Sequence, residues 1–332
     1  MGKKCFLHLG LHKTASSSAQ ATFRSSKKVL RDYNIEFPLF KYGLETGNPK
    51  TIANHSIPIS SIFSDNPRAY HVNIRWGLKD VDQVNLTYLA QLKKAANSGR
   101  DLLLSGEDIS VLSNTGLDKL TLLLNDMAFE IIPFAMVRTP YSFACSAIQQ
   151  QIKGGSFFKL LDEEHESTKN QSRNQRLPIR SDIISRLIDH FGKSLRLLNF
   201  NKAAEHKYGP VGFMVEEMKI CKPEELTYRR VNESMGNKWI RAKNLSNRYF
   251  KGESLLVTSD ARGLRSTTIF SNDSKFLLTE HEFKKIEHEL VSESNAMKKL
   301  MGSTFTENEY EFAIPLTAQD WKLIYLETLA SR

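Results

Sequence analysis

The stretch that most constrains the fold lies at the start of the chain, where an apolar run passes through a glycine into basic and hydroxyl side chains. Residues 5–9 have the length and composition of a strand buried inside a sheet. Gly10 ends this run, Lys13 and Thr14 follow, and three serines precede a segment with helical character at residues 19–30. Together, the strand, turn, lysine, hydroxyls and helix predict a loop that binds a phosphate or a similar anion.

Three kinds of group would hold the anion. The amides of the turn and of the helix start present N–H donors and the positive end of the helix dipole. Lys13 adds a full charge, and the hydroxyls donate to oxygens of the anion. The competing interpretation is a serine-rich helix N-cap beside a solvated lysine. The spacing differs from a Walker A loop, because Lys13 comes three residues after Gly10 and Ala15 stands where a further glycine is expected. The sequence therefore disfavours a nucleotide triphosphatase.

Residues 8–20, His-Leu-Gly-Leu-His-Lys-Thr-Ala-Ser-Ser-Ser-Ala-Gln, resemble the 5′-phosphosulfate loop of sulfotransferases. The bacterial glycan-type members of that family read roughly H-x-G-x-x-K-T-G-T-T-S-x-Q. Their donor is 3′-phosphoadenosine 5′-phosphosulfate (PAPS), and 3′-phosphoadenosine 5′-phosphate (PAP) is the product. This chain keeps the hydroxyls but has Ala15 in place of the glycine. We expect a negative φ at that position, because alanine avoids the left-handed region.

A second informative stretch begins at Arg138, which leaves a predicted strand. Pro140 opens a helix at its first turn, and Ser146 lies eight residues beyond the arginine, slightly more than two helical turns. The spacing resembles the second phosphate-binding element of sulfotransferases, which holds the 3′-phosphate. Alternatively, the arginine is simply exposed at a strand end and the serine packs in a helix. Because both elements occur in the family's order, we favour the ligand interpretation.

The resemblance implies a role for each matching residue. Lys13 would stabilise the leaving 5′-phosphate, and His12 with the serine hydroxyls would hold the phosphosulfate oxygens. Arg138 and Ser146 would hold the 3′-phosphate, a task that suits the fork of a guanidinium. The predicted donor-binding residues are His12, Lys13, Thr14, Ala15, Ser16, Ser17, Ser18, Arg138 and Ser146. No metal is expected in the reaction.

Sulfuryl transfer also needs a base for the acceptor proton, and three residues are candidates. Glu107 follows a predicted strand and matches the S-S-E pattern of bacterial relatives, with Gly106 replacing one serine. It could instead be a carboxylate that starts a helix. His55 lies in a region where relatives carry a histidine, and histidine titrates near neutrality. Glu36 ends the second strand, close to where Golgi glycan enzymes place a glutamate. The sequence leaves the order of the three open.

Strands alternate with helices along the chain, which predicts an α/β fold with a central parallel sheet flanked by helices and a ligand at the carboxyl edge. The resemblance narrows this to the P-loop NTPase-like fold of sulfotransferases. The predicted strands after the first are residues 33–38, 101–105, 129–137 and 194–200; the predicted helices include 86–96, 115–127, 181–190, 211–220 and 280–300. We expect one domain, with a core of about 1–220 and a helical extension of about 221–332. Residues 41–78 read as an irregular surface excursion, and residues 161–176 as a polar flap.

The length, net charge and cysteine content are consistent with an enzyme that binds an anionic ligand. The net charge of +9 over 332 residues suits PAPS, and nucleic acid is disfavoured because the chain has no arginine-rich tail, zinc-finger spacing or aromatic RNA-binding signature. Three distant cysteines read as buried thiols in a reducing compartment, without metal spacing. With no signal peptide and no apolar stretch near ~20 residues, we expect a cytoplasmic protein without a membrane-spanning segment.

The function that the resemblance implies is transfer of a sulfuryl group from PAPS to a hydroxyl, in preference to an amine, of a bacterial glycan. Tyr70, Trp76, Phe157 and Phe158 could stack on sugar rings or be ordinary core residues. A small-molecule kinase of P-loop type and a non-catalytic anion binder are the alternatives. Homo-oligomer formation and the identity of the acceptor stay open.

Overall fold

The computed structural model describes residues 2–43, 49–161, 180–231, 234–249 and 273–330. The chain forms two compact units, Met1–Arg138 with Ser181–Asn232, and Thr139–Arg180 with Glu233–Arg332. Each unit combines two separate stretches of the sequence. The assignment of one domain, with a core of about 1–220 and an extension of about 221–332, stays a prediction.

The first unit is built on a five-stranded sheet in which every neighbouring pair is parallel. Its strand order is β2-β5-β1-β6-β7, with a separate two-stranded antiparallel sheet of β3 and β4. The strands are β1 Lys3–Leu9, β2 Ile35–Glu36, β3 Phe40–Tyr42, β4 Lys50–Ile52, β5 Asp101–Gly106, β6 Phe129–Val137 and β7 Arg196–Asn199. The predicted α/β class with a central parallel sheet is confirmed. The central strand β1 is buried from Cys5 to Leu9, as its apolar run predicts.

Helices cover this sheet and connect its strands. They are α1 Ser16–Ser25, α2 Lys27–Asp32, α3 Ser56–Phe63, α4 His71–Arg75, α5 Val81–Ala96, α6 Asn114–Asp126, α8 Ser181–Phe191, α9 Phe200–Glu205 and α10 Gly209–Glu217. Helix α7, Pro140–Lys153, belongs to the second unit. One apolar cluster joins the sheet to α1 and α10 and includes Phe6, Phe23, Phe134, Met136, Met214 and Val215.

The prediction of an irregular excursion at residues 41–78 is wrong. The described residues of this region include the end of β3, the strand β4 that pairs antiparallel with it, and helices α3 and α4. Helix α3 was hidden by its serines, which a composition argument assigns to loops. Ser61 is fully buried, donates to the Asn85 side chain at 2.6 Å, and accepts from Asn73 at 2.7 Å. Polar residues can line a packed helix when each finds a partner, and composition does not show those partners.

Other element boundaries follow the sequence with local differences. Strand β6 has both of its predicted ends, whereas β7 ends one residue early because Asn199 caps α9, accepting from the backbone N–H of Asn201 and Lys202. The predicted helix over residues 280–300 is two helices, α12 Glu280–Lys284 and α13 Glu287–Met301, separated near the buried Ile286.

In the described residues of the second unit, the regular secondary structure is helical apart from one isolated bridge between Gly236 and Lys275. It contains α7, α11 Asn237–Tyr249, α12, α13 and α14 Ala318–Ala330. Its core includes Tyr141, Ile148, Trp239, Phe276, Phe283 and Leu290. The predicted flap at 161–176 lies outside the described residues except for Leu161. Among the described residues, no helix has the length and hydropathy needed to cross a bilayer.

Candidate functional site

The carboxyl ends of β1 and β5 are joined by hydrogen bonds between the loops that follow them. The Gly10 N–H donates to the Gly106 carbonyl at 3.0 Å. The Ser110 hydroxyl lies within bonding distance of two carbonyls, that of Gly10 at 3.0 Å and that of Glu107 at 2.8 Å. Gly10 also has no room for a side chain, because an added Cβ would lie 2.7 Å from the Ser16 hydroxyl oxygen. These contacts fix the position of the loop after β1 relative to the loop after β5.

The loop between β1 and α1 has two non-glycine residues in the left-handed region. Lys13 has φ 67° and Ala15 has φ 64°. The expected negative φ at Ala15 is therefore wrong, and the position has the backbone conformation that glycine favours. Thr14 is buried, and its hydroxyl donates to the Leu11 carbonyl at 2.5 Å, so it braces the loop from within. Ala15 occupies the N-cap position of α1, where its side chain cannot accept a hydrogen bond from the helix.

Replacing Ala15 by glycine is expected to raise the free energy of unfolding by about 0.5–1 kcal/mol. The left-handed conformation costs a non-glycine residue about 1–2 kcal/mol, and glycine's additional unfolded-state entropy returns about 0.4–1 kcal/mol of that. Urea unfolding measures the change. Ala128→Gly is the matched control, since Ala128 is exposed, has φ 61° and lies outside the loop. A loss of stability in Ala15→Gly would contradict the strain argument.

The three serines that follow Ala15 have different environments. Ser16 is buried, and its hydroxyl has no hydrogen-bond partner among the described residues. Ser17 is half-buried. The Ser18 hydroxyl pairs with the backbone of Val231, accepting from its N–H at 3.1 Å and lying 3.3 Å from its carbonyl oxygen. Of the three serines after Ala15, Ser16 is thus the one whose buried hydroxyl has no partner among the described residues and is available to a further acceptor or donor.

The contact of Ser18 is the first of a series along α1. Thr22 accepts from the Arg229 N–H at 3.0 Å, and Ser26 accepts from the Thr227 N–H at 2.8 Å. Hydroxyls at positions i, i+4 and i+8 lie on one face of a helix, so they bind alternate residues of an extended segment. Residues 227–231 are thereby fixed alongside the helix that begins at the predicted anion loop.

Arg138 follows β6 and contacts the lysine loop directly. Its Nη1 donates to the Lys13 carbonyl at 3.1 Å, and its guanidinium lies 4.6 Å from the centre of the Phe200 ring. Because β1 and β6 are parallel neighbours, the residues that follow them meet at one sheet edge. The structure thus brings Arg138, the first residue of the second predicted element, against the lysine loop. Ser146, the predicted partner of Arg138, is half-buried on α7 of the second unit.

Glu107 and His12 form a pair at the same edge. His12 Nδ1 lies 3.1 Å from Glu107 Oε2, and His12 Nε2 lies 4.0 Å from Asp108 Oδ1. Asp108 is itself bonded to Tyr70, whose hydroxyl donates at 2.6 Å. Burial, followed by the Asp108 contact, raises the pKa of the Tyr70 phenol well above its usual range. The sequence reasoning noted Glu107 and His12 separately and missed Asp108, although the adjacent pair of carboxylates after a strand was a visible signal.

His55 is fully buried beneath this edge. Its Nε2–H donates to the Pro38 carbonyl at 2.7 Å, and its Nδ1 accepts from the Ser105 N–H at 2.9 Å. Burial is the main cause that lowers the pKa of the His55 imidazole to about 4, against the opposing effect of the Pro38 bond. The ring also packs against Phe37, with 4.5 Å between centroids. Both ring nitrogens are thus engaged with backbone groups that fix the end of β5.

Glu36, the third candidate base, is buried and held by two cations. Its carboxylate lies 2.9 Å from Arg31 Nε and 3.0 Å from Lys27 Nζ. Burial alone would raise the pKa of Glu36, but the hydrogen bonds from Arg31 and Lys27 outweigh it and lower the pKa below its ordinary value. A buried carboxylate that is paired with two cations stabilises the fold, and its lowered pKa makes it a weak proton acceptor.

His8 is a further buried histidine, quoted in the motif but given no role by the sequence. Its Nδ1 is hydrogen-bonded to the Ser105 hydroxyl at 2.8 Å, and its ring stacks on Phe134 with 5.1 Å between centroids. Burial, the largest effect, lowers the pKa of His8 to about 4, and the charge of Glu107 opposes it. Gln20, the last residue of the motif, also reaches β5 by donating to the Ser105 carbonyl at 3.2 Å.

Comparisons with protein-family profiles, curated proteins and solved structures find no match to this chain. Among the described residues, no group of three or more His, Cys, Asp or Glu side chains is arranged to hold a metal ion. The site is therefore defined by its own geometry: the loop after β1 with a helix start that lacks a side-chain cap, an arginine against that loop, and a histidine–carboxylate pair between that loop and the one after β5.

Proposed function

We propose that this chain is a sulfotransferase that moves a sulfuryl group from PAPS to a hydroxyl of an acceptor. The observation that carries the proposal is the bond from Arg138 to the Lys13 carbonyl at the carboxyl edge of β1 and β6. It places a guanidinium beside a lysine loop that leads directly into an uncapped helix. The two phosphorylated positions of PAPS lie on one ribose, so a donor of this kind needs two adjacent cationic elements.

The residues of the loop suit an anionic donor. The cap position of α1 provides no side-chain acceptor for the first helical N–H groups, and the buried Ser16 hydroxyl has no partner among the described residues. Both features favour an external anion at a helix start. Lys13 follows the β1 strand in this loop, and its ammonium would balance the negative charge that develops on the departing phosphate oxygen. His12, Ser17, Ser18, Arg138 and Ser146 stay donor-binding predictions.

Charge compensation and alignment would carry most of the catalysis. Sulfuryl transfer by in-line displacement resembles phosphoryl transfer, in which the protein positions the reactants and stabilises charge and does little covalent chemistry. Of the three candidate bases, Glu107 is at the sheet edge and partly exposed, whereas His55 and Glu36 are buried and bonded. We therefore assign the acceptor side of the reaction to the loop that contains Glu107.

A carbohydrate is the acceptor class that we propose. Tyr70 is bonded to Asp108 beside Glu107, and Trp76 lies 5.3 Å from Tyr42 between ring centroids. These partly exposed aromatic rings on the segment after α3 offer faces on which a sugar could stack. Phe158, by contrast, is buried in the core of the second unit. A cytoplasmic location and a bacterial glycan as acceptor belong to the same proposal.

The experiment that tests the function is calorimetric titration of the full chain with PAP and, separately, with ADP, each with and without Mg²⁺. We expect PAP to bind at least about 10-fold more tightly than ADP, because only PAP offers the 3′-phosphate, and we expect no dependence on Mg²⁺. Tighter binding of ADP in the presence of Mg²⁺ would favour the kinase alternative. Binding of neither nucleotide would leave an anion binder and overturn the proposal.

A further inference from the structure

His12 lies between two carboxylates and is more exposed than either. Its Nδ1 is 3.1 Å from Glu107 Oε2, and its Nε2 is 4.0 Å from Asp108 Oδ1. The exposed fractions of the side chains are 42% for His12, 27% for Glu107 and 15% for Asp108. The imidazole is therefore the member of the group that is most open to a reacting molecule, while the carboxylates lie closer to the protein.

The carboxylates are fixed by the fold. The loop that contains Glu107 is tied to the loop that contains His12 through the Gly10–Gly106 bond and the Ser110 hydroxyl. The Asp108 N–H donates to the Ser56 hydroxyl at 3.0 Å, and its carboxylate accepts from Tyr70. Such support holds a catalytic group in one geometry, which is a requirement for efficient proton transfer.

The pairing also determines which nitrogen can take a proton. A carboxylate is an acceptor, so the Nδ1 of a neutral imidazole beside Glu107 carries the hydrogen and Nε2 is left as the acceptor. We propose that His12, and not Glu107, removes the acceptor's proton, and that Glu107 is a positioning residue for His12. This inference rests on the proposed sulfotransferase function and changes the role that the motif gave to His12, which was contact with the phosphosulfate.

The step balances as follows. The acceptor O–H gives its proton to His12 Nε2 while its oxygen lone pair forms the new O–S bond. The bond from sulfur to the bridging oxygen breaks, and its electron pair leaves with that oxygen on the phosphate of PAP. The imidazolium faces Glu107 and Asp108, with His71 Nε2 4.0 Å from the far oxygen of Asp108. Opposite charges at these distances stabilise the protonated ring. The proton then passes to water.

The residue that follows His12 in the chain would act at the other end of the same displacement. Lys13, which would meet the leaving phosphate, follows His12 directly, so one loop would provide the groups for both ends of the displacement. The separation of Nε2 from Asp108 is too long for a hydrogen bond, so Asp108 does not compete for the nitrogen in the neutral state.

The experiment compares His12→Gln, Glu107→Gln and a control over pH 4.5–9, measuring kcat/KM for sulfuryl transfer and the Kd of PAP for each. His206→Gln is the control, because His206 Nε2 forms another histidine–glutamate pair, 2.7 Å from Glu216 Oε2, away from the loops of the site. For His12→Gln we expect a 10²- to 10⁴-fold loss of kcat/KM and loss of the ascending limb of the pH profile, with PAP affinity unchanged within about 3-fold. The control should keep the activity and the profile of the parent.

Glu107→Gln separates the two roles. Glutamine keeps an oxygen that can accept from Nδ1 but removes the charge, so we expect a loss of only about 10-fold and an ascending limb that is retained. If Glu107 is itself the base, this variant is the one that loses 10²- to 10⁴-fold. That outcome overturns the inference, as does a His12→Gln enzyme with weakened PAP binding and an unchanged limb. Absence of PAP binding in the parent chain is a different result and rejects the proposed function itself.

Discussion

Replacing Lys13 by alanine is expected to lower kcat for sulfuryl transfer by about 10²- to 10³-fold, the usual effect of removing one group that stabilises transition-state charge. The free energy of unfolding should change by no more than about 0.5 kcal/mol, because the side chain is half-buried on a loop and the backbone bond from Arg138 to its carbonyl does not depend on it. The rate at saturating PAPS and a urea unfolding curve measure the two quantities.

Lys219→Ala is the matched control for this variant. Lys219 also has a positive φ, 52°, and it lies exposed at the end of α10. The same substitution is therefore made in a similar backbone conformation outside the site. Equal turnover in Lys13→Ala and in the parent chain would remove Lys13 from the mechanism. Equal losses of turnover in Lys13→Ala and Lys219→Ala would indicate a general effect of the substitution.

Acid is expected to destabilise the first unit strongly between about pH 6.5 and pH 4. His8 and His55 are fully buried, and burial lowers the pKa of each to about 4. The unfolded chain takes up these protons near pH 6.5, whereas the folded chain does not until about pH 4. Stability from this source is complete above about pH 6.5 and declines as the pH falls toward 4, by up to about 3 kcal/mol for each histidine.

Urea unfolding at a series of pH values, with amide hydrogen exchange of β1 and β5 to localise the loss, measures this effect. His8→Gln should reduce the slope between pH 6.5 and 4, because it removes one of the two titrating groups. His288→Gln is the control, since His288 is exposed on α13 and should leave the slope unchanged. An identical slope in the His8 variant and the parent would show that other groups control the acid response.

The sheet could be predicted because its signal is local. The central strands β1, β5 and β6 are largely apolar runs, and the end of β6 was placed correctly because Val137 is followed by Arg138 and by a proline that begins a helix. The left-handed φ of Ala15 could not be predicted, because alanine carries no preference for that conformation and only its surroundings impose it.

The roles of the histidines depend on partners that are distant in the sequence. His55 is hydrogen-bonded to backbone groups 17 and 50 residues away. Every residue type has a carbonyl group and nearly all have an N–H group, so the sequence does not show which of them a histidine will bind. The pairing of His12 with Glu107, 95 residues apart, follows from the adjacency of β1 and β5. The sequence shows which residues each loop contains. It does not give the order of the strands in the sheet, so the contacts between the loops could not be predicted.

The hydroxyl series along α1 has a consequence for how the site is made. Ser18 binds a residue 213 positions later, and Ser26 binds one 201 positions later. Contacts of such high sequence separation form slowly and close large loops of chain. The helix that follows the predicted anion loop is therefore buttressed only once residue 231 has left the ribosome, and we expect binding of an anionic ligand at this loop to depend on that long-range contact.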